Sequence, residues 1–223
     1  MTSSSVDLTL TAATLLQFAF VDPSEISGEP IHRAYYGSAY EVAESYGAKH
    51  LTTLKVVESE HADINASSII VYQWPDQSAW QAFYNDTKWQ HAVHQRDTGF
   101  HELTDIYFEV KNTTTINFEP DGLYEIAAFW MNRHNGMLMA EYFENMESLV
   151  KAAKVQPLAQ LFAVETGSHY GEVPHKLNLL HWRAGREARD AIFTSTEFKQ
   201  YGYMRALALD RMWTIIVQAA PVD

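Results

Sequence analysis

Four polar residues interrupt stretches that are otherwise apolar: Gln17 in LLQFAFV, Gln73 in IIVYQW, Glu125 in LYEIAAFW and His181 in LNLLHW. A carboxylate beside an imidazole is the minimum set for general acid–base work near neutral pH. The two amides can bind and orient a polar atom but cannot carry a proton away. The spacing is regular: Gln17 precedes Glu125 by 108 residues, and Gln73 precedes His181 by 108. In the reading this supports, His181 is the base or acid and Glu125 orients it. Gln17 and Gln73 then donate hydrogen bonds to a substrate oxygen.

Other constellations carry less. His91 and His94 lie three apart on a helical stretch and so share a face. His50, His61 and His101 are scattered, with no i,i+4 pair and no H-x-H spacing, so no metal site is expected. Arg96 and Arg205, near the ends of matched helices, read as partners in structural ion pairs. The chain has no cysteine, which removes thiolate and disulfide chemistry. It has no G-x-S-x-G, P-loop or G-x-G-x-x-G pattern, so serine-hydrolase and nucleotide chemistry have no support.

The regular spacing extends beyond the four polar residues. Leu51 matches Leu158, Trp74 matches Trp182, Trp89 matches Phe198 and Arg96 matches Arg205, always 107 to 109 residues apart and in the same order. The chain therefore reads as a tandem repeat. Hydrophobic periodicity predicts, in each copy, a strand (14–21 or 123–131), a helix (31–46 or 140–153), two strands (51–57 and 68–74, or 158–164 and 177–182), a helix (78–96 or 187–207) and a last strand (106–110 or 212–218). This β-α-β-β-α-β order is the ferredoxin-like unit. The expected domains are residues 1–111 and 123–223, joined by a polar linker at 112–122.

One such sheet carries helices on one face only, and its other face must be buried. Two sheets in one chain can cover each other, so the fold class expected is α+β, two tandem ferredoxin-like repeats closing an intramolecular barrel. A barrel of that size can hold one ligand. Alternation places Ile69, Val71 and Gln73 on one face of their strand and Ile70, Tyr72 and Trp74 on the other; Leu177, Leu179 and His181 likewise oppose Asn178, Leu180 and Trp182. With the Trp faces packed on helices, Gln73 and His181 point into the barrel. Alternation alone leaves the faces of Gln17 and Glu125 open, and the cost of turning a polar group into a helix-packed core favours the barrel side.

The stretch IIVYQWPDQSAWQAFYNDTKWQHAVHQR, with YGAKHL before it, resembles the family called domain of unknown function 1330. The match rests on Trp74, Pro75, the helix from Ala79 to Tyr84, Trp89 and Arg96, and covers about a hundred residues of the first copy. The second copy follows loosely through LLHWRAGREARDAIFTSTEFKQYGYMR, with Arg183 in place of the Pro. The resemblance implies membership of the dimeric α+β-barrel superfamily, beside antibiotic-biosynthesis-monooxygenase-like and heme-degrading proteins. Single-copy relatives dimerise to close the barrel; this chain is expected to close it internally, as a monomer or as a homodimer of barrels. Related heme-binding barrels place an axial His in this helix after a similar segment, and alignment puts Val93 there, one residue off His94. The resemblance thus implies no cofactor, with heme as an alternative.

A net charge of −12 over 223 residues argues against nucleic acid and against anionic membrane surfaces. The N-terminal apolar run has no Lys or Arg before it and is too short to span a bilayer, so a cytoplasmic protein is expected. Together these point to a protein that binds, and in its active form transforms, a small apolar or aromatic molecule in the barrel. By resemblance the reaction is that of a cofactor-independent cyclase, isomerase or monooxygenase. The alternative is a non-catalytic ligand-binding or interaction module, in which Glu125 and His181 only satisfy each other, or water, inside a filled barrel.

Overall fold

The structure is a computed structural model that describes residues 5–23, 28–164 and 172–219; the side chains of residues 23, 28–36, 94–99 and 101–102 lie outside the described set. Alternating apolar residues build the strands β1 (Val6–Leu10), β2 (Thr14–Pro23), β3 (Lys49–Glu60), β4 (Ser68–Trp74), β5 (Phe100–Val110), β6 (Thr114–Phe118), β7 (Tyr124–Met131), β8 (Val155–Ala163), β9 (Lys176–Trp182) and β10 (Leu209–Ala219). The helices are α1 (Gly28–Ser45), α2 (Gln77–Tyr84), α3 (Thr87–Gly99), α4 (Leu138–Ala152), α5 (Gly185–Thr194) and α6 (Thr196–Ala208).

Eight strands close an antiparallel barrel in the order β3-β4-β2-β5-β8-β9-β7-β10, with β10 returning to β3. The first half contributes β3-β4-β2-β5 and the second β8-β9-β7-β10, the same relative order in each. The seams between halves differ: β5 meets β8 through Phe108↔Ala163 and Glu109↔Phe162, whereas β10 pairs with β3 from Thr214↔Glu60 to Ala219↔Leu54. One chain therefore closes the barrel alone.

The barrel interior is full. Phe20, Phe108, Trp130, Trp213, Ile69 and Ile126 pack there with many smaller aliphatics, all essentially excluded from solvent. Each such side chain contributes roughly 1.5–3 kcal/mol of burial. This overturns the expectation of a ligand cavity inside the barrel: alternating large residues on eight strands leave the interior to themselves. Two further apolar layers lie outside, one between the first-half strands and α1–α3, the other between the second-half strands and α4–α6.

Two details depart from the expected elements. Each long helix expected after a Trp is two helices. Asp86 accepts hydrogen bonds from the backbone N–H groups of Lys88 and Trp89, and Ser195 from that of Phe198, so each starts a new helix with its own N-terminal cap. The stretch expected as a linker contains β6, which pairs with β1 from Val6↔Phe118 to Leu10↔Thr114. Leu8, Leu10, Ile116 and Phe118 of this ribbon join the barrel core and stopper one end.

Candidate functional site

The four polar strand residues separate into two pairs on opposite faces of the sheet. Gln73 and His181 point into the barrel, as alternation predicts, and sit at the stoppered end. Gln73 is satisfied by the ribbon connection: its Oε1 accepts from Thr11 N at 2.9 Å and its Nε2 donates to Thr11 Oγ1 at 3.4 Å. His181 stacks on Tyr124 with ring centroids 4.5 Å apart, and Tyr124 packs edge-on against Phe118. Burial holds the His181 imidazole below its ordinary value. Both side chains thus tie the ribbon to the barrel.

Gln17 and Glu125 face the helices instead. Their strand neighbours Leu15, Ala19 and Ala127, Phe129 belong to the helix-side cores, while Leu16, Phe18, Tyr124 and Ile126 fill the barrel. The sheet stands between Glu125 and His181, so Glu125 does not orient that imidazole. The cost of a polar group under helices is met by a partner the strand pattern does not reveal, the indole N–H of the Trp that ends the neighbouring strand. Trp74 Nε1 donates to Gln17 Oε1 at 2.9 Å, and Trp182 Nε1 donates to Glu125 Oε2 at 3.1 Å.

Around Gln17 the layer is closed. Gln17 Nε2 donates to Asp105 Oδ1 at 2.7 Å, and Trp74, Phe83, Trp89 and Tyr107 surround it, leaving only about 50 Å³. Around Glu125 the layer opens into a cavity of about 480 Å³. Its floor is Ala127, Ala159, Leu180 and Trp182 from the sheet; its walls are Met139, Tyr142, Met146 and Val150 of α4, Ile192 and Phe193 of α5, and Arg205 of α6.

Sequence reasoning missed Arg189, the residue that fixes the carboxylate. It lies on α5, which leaves β9 through Gly185 at φ +80°, a left-handed turn that glycine adopts without strain. Arg189 is 1% exposed; its Nε donates to Glu125 Oε2 at 2.8 Å and its Nη2 to Glu60 Oε2 of β3 at 2.7 Å. Burial alone would lower this guanidinium, but the Glu60 and Glu125 carboxylates outweigh it and raise it. The hydrogen bond from Arg189 holds Glu60 below the usual carboxylate range. Glu125, 3% exposed, goes the other way: burial pushes its carboxyl up, more than Arg189 and Trp182 pull it down. The only available signal was an Arg on the apolar side of an otherwise amphipathic helix.

Both donors reach Glu125 through Oε2, and Oε1 accepts no hydrogen bond among the described residues. The Tyr142 hydroxyl is likewise without a partner there, and burial raises its pKa. The cavity is therefore apolar, with a carboxyl and a phenol directed at its contents. A carboxyl that burial raises above its ordinary value, beside an apolar space, is suited to exchanging a proton with a molecule held there.

Among the described residues no group of three or more His, Asp or Glu side chains could hold a metal ion. Among the described residues no histidine lines the cavity. His91 is exposed on α3, and the side chains of His94, Arg96 and His101 lie outside the described residues. No described helix is long and apolar enough to cross a membrane.

No family model and no curated protein matches the chain, so the likeness to the domain of unknown function 1330 rests on the quoted residues alone. Solved structures do match. An anthrone oxidase-like protein aligns over 95% of this chain and 94% of its own at 11% identity, with a TM-score of 0.59. A chlorite dismutase variant from Candidatus Nitrospira defluvii aligns over 95% and 93% at 10% identity, TM-score 0.49. A heme-binding protein from Thermus thermophilus aligns over 97% and 94% at 7% identity, TM-score 0.45. The first likeness is one of fold, that of α+β-barrel proteins; the other two are too distant to inform further.

Proposed function

We propose that this protein binds a small, largely apolar organic molecule between the second-half strands and α4–α6, and that Glu125 exchanges a proton with it. The observation that carries the reading is a 480 Å³ apolar cavity into which a buried, Arg-anchored carboxylate presents an unpartnered oxygen. The volume suits a two- to three-ring compound. Arg189 and Trp182 fix Oε2, leaving Oε1 to take a proton from an acidic hydroxyl or C–H, while Tyr142 offers a hydrogen bond to a substrate oxygen.

The reaction class is that of a cofactor-independent cyclase, isomerase or monooxygenase on an aromatic or polyketide-like compound. The fold likeness to an anthrone oxidase-like protein supports that class. The matching strand orders and the 108-residue spacing support an origin by duplication of a ferredoxin-like unit, with residues 1–111 and 123–223 as the copies. In this reading the first copy kept a filled helix layer and the second keeps the site. His181, Gln73 and Gln17 then serve the fold rather than the chemistry.

The test is binding of N-phenyl-1-naphthylamine, a neutral two-ring fluorophore, followed by the effect of Glu125→Gln. Saturable one-to-one fluorescence is expected in both proteins. Turnover of any substrate found by screening phenolic compounds should fall by at least about a hundredfold in the variant. Absence of saturable binding would sink the proposal.

A further inference from the structure

Arg205 is the unspent charge of this region. It stands in the last turn of α6, where the sequence pattern suggested a structural ion pair, yet among the described residues no carboxylate lies within salt-bridge distance. Its guanidinium is instead seated on aromatic rings, 5.7 Å from the Phe193 centroid and 5.0 Å from that of Phe198. Those two rings meet edge to face at 5.2 Å and form a rigid seat. A guanidinium on ring faces keeps its edge donors free.

Arg205 and Phe193 also line a second, more open cavity of about 660 Å³, whose other walls include Glu60, His61, Arg189 and Asp190. The two cavities thus share one wall, and Arg205 reaches both. The charges facing the outer cavity are otherwise committed: Glu60 and Asp190 both accept from Arg189, which also holds Glu125. Phe193 lies under both arginines, with Arg189 5.0 Å from its centroid. Of the two cations that bracket this ring, Arg189 pairs with three carboxylates and Arg205 with none among the described residues. A half-buried cation at the rim of an apolar cavity is an anchor for a single negative group.

We infer that the molecule bound in the cavity is an organic monoanion, an apolar body with one anionic oxygen group that pairs with Arg205 at the junction of the two cavities. This rests on the cavity being a ligand site and adds the charge of the ligand. It also supplies an orientation: the anionic group lies at the α6 rim and the apolar body extends over Ala127 and Leu180 toward α4.

Two fluorophores of nearly equal shape separate the alternatives. 1-Anilinonaphthalene-8-sulfonate carries the anion; N-phenyl-1-naphthylamine is the same framework without it. The anionic probe should bind the native chain more tightly, and raising NaCl from about 0.05 to about 0.5 M should weaken it several-fold while leaving the neutral probe unchanged. Arg205→Met should weaken the anionic probe by about tenfold, the loss of one charge-assisted contact, and leave the neutral probe within about twofold. Arg205→Lys should restore part of the difference.

Retained neutral-probe binding in Arg205→Met would show that the cavity is intact. If both probes bind equally, with no salt dependence and no effect of Arg205→Met, the inference fails while the cavity remains a ligand site. If neither binds, the proposed function fails first. Should Arg205→Met not fold, the salt dependence measured on the native chain still decides.

Discussion

The helix layer over the first half and the helix layer over the second meet the barrel through the same bond, an indole N–H given to a polar strand residue. They differ in nearly everything around it. In the first half the acceptor is an amide, Gln17, whose own N–H₂ is taken up by Asp105 of the adjacent strand; Phe83 and Trp89, with ring centroids 4.5 Å apart, close the space. In the second half the acceptor is a carboxylate, Glu125, whose second partner, Arg189, reaches in from a helix, and the layer is built from Met139, Met146, Ile192 and Phe193. Exchanging the packed Trp and Phe rings of the first layer for a layer richer in methionine and aliphatic side chains leaves the volume, and exchanging an amide for an anchored carboxylate gives that volume a chemical function. The comparison teaches that an open site can be made within a fixed fold by trimming rings and adding one charge pair.

The largest effect expected comes from removing the anchor. Arg189→Met leaves Glu125 buried without its counter-charge and should cost about 3–5 kcal/mol. Thermal unfolding should report this as a fall of roughly 2–4 °C in Tm per kcal/mol for a chain of this size. Adding Glu125→Gln should recover at least half, because the second half then carries a neutral amide as the first does. A single variant as stable as the parent would break the comparison.

Ala19 and Ala127 test the space itself, since each lies beside the polar residue on the helix face of its strand. Ala19→Leu must enter a filled layer and should destabilise by about 1–3 kcal/mol. Ala127→Leu enters the open cavity and should change stability by less than about 1 kcal/mol, yet it should weaken binding of the neutral naphthyl fluorophore. Denaturant midpoints for the two variants check the sign of the difference.

The smallest effect concerns pH. Burial raises the Glu125 carboxyl, so the folded state binds more protons than the unfolded one. Its contribution to stability is fully present below the ordinary carboxyl value of 4.5 and is lost as pH rises through the raised folded value. The stability of the parent relative to Glu125→Gln should therefore decline between acid and neutral pH, measured as the difference in Tm. A difference that grows with pH would mean that Arg189 outweighs burial.

The barrel was legible because strand alternation is strict: Ile69, Val71 and Gln73 face one way and Trp74 the other, as do Leu177, Leu179, His181 and Trp182. The faces of Gln17 and Glu125 were not, and they fell opposite to the side that desolvation favoured. Their cost is met by indoles on the neighbouring strands and, for Glu125, by Arg189, 64 residues away. Periodicity reports which side of a strand is apolar on average, and two satisfied polar residues escape it. The ribbon strand β6 was hidden for a related reason: TTINF is short and polar on one face, and only its partner β1 makes it a strand. The anchored carboxylate could have been suspected from Arg189 alone, as an arginine aligned with Ile192 on a helix that must cover apolar sheet.

The longer seam between halves has a consequence for biosynthesis. β10 pairs on one side with β7 and on the other with β3, so the outer edge of β3 has no neighbour until the last strand is made. At ordinary translation rates that edge waits on the order of ten to thirty seconds. During that interval it is a row of open backbone donors and acceptors, available to any other nascent copy. Its sequence, KHLTTLKVVESE, carries two lysines and two glutamates, a distribution of charge that discourages such pairing. The first half is thus protected while it waits by the surface chemistry of one strand rather than by its own fold.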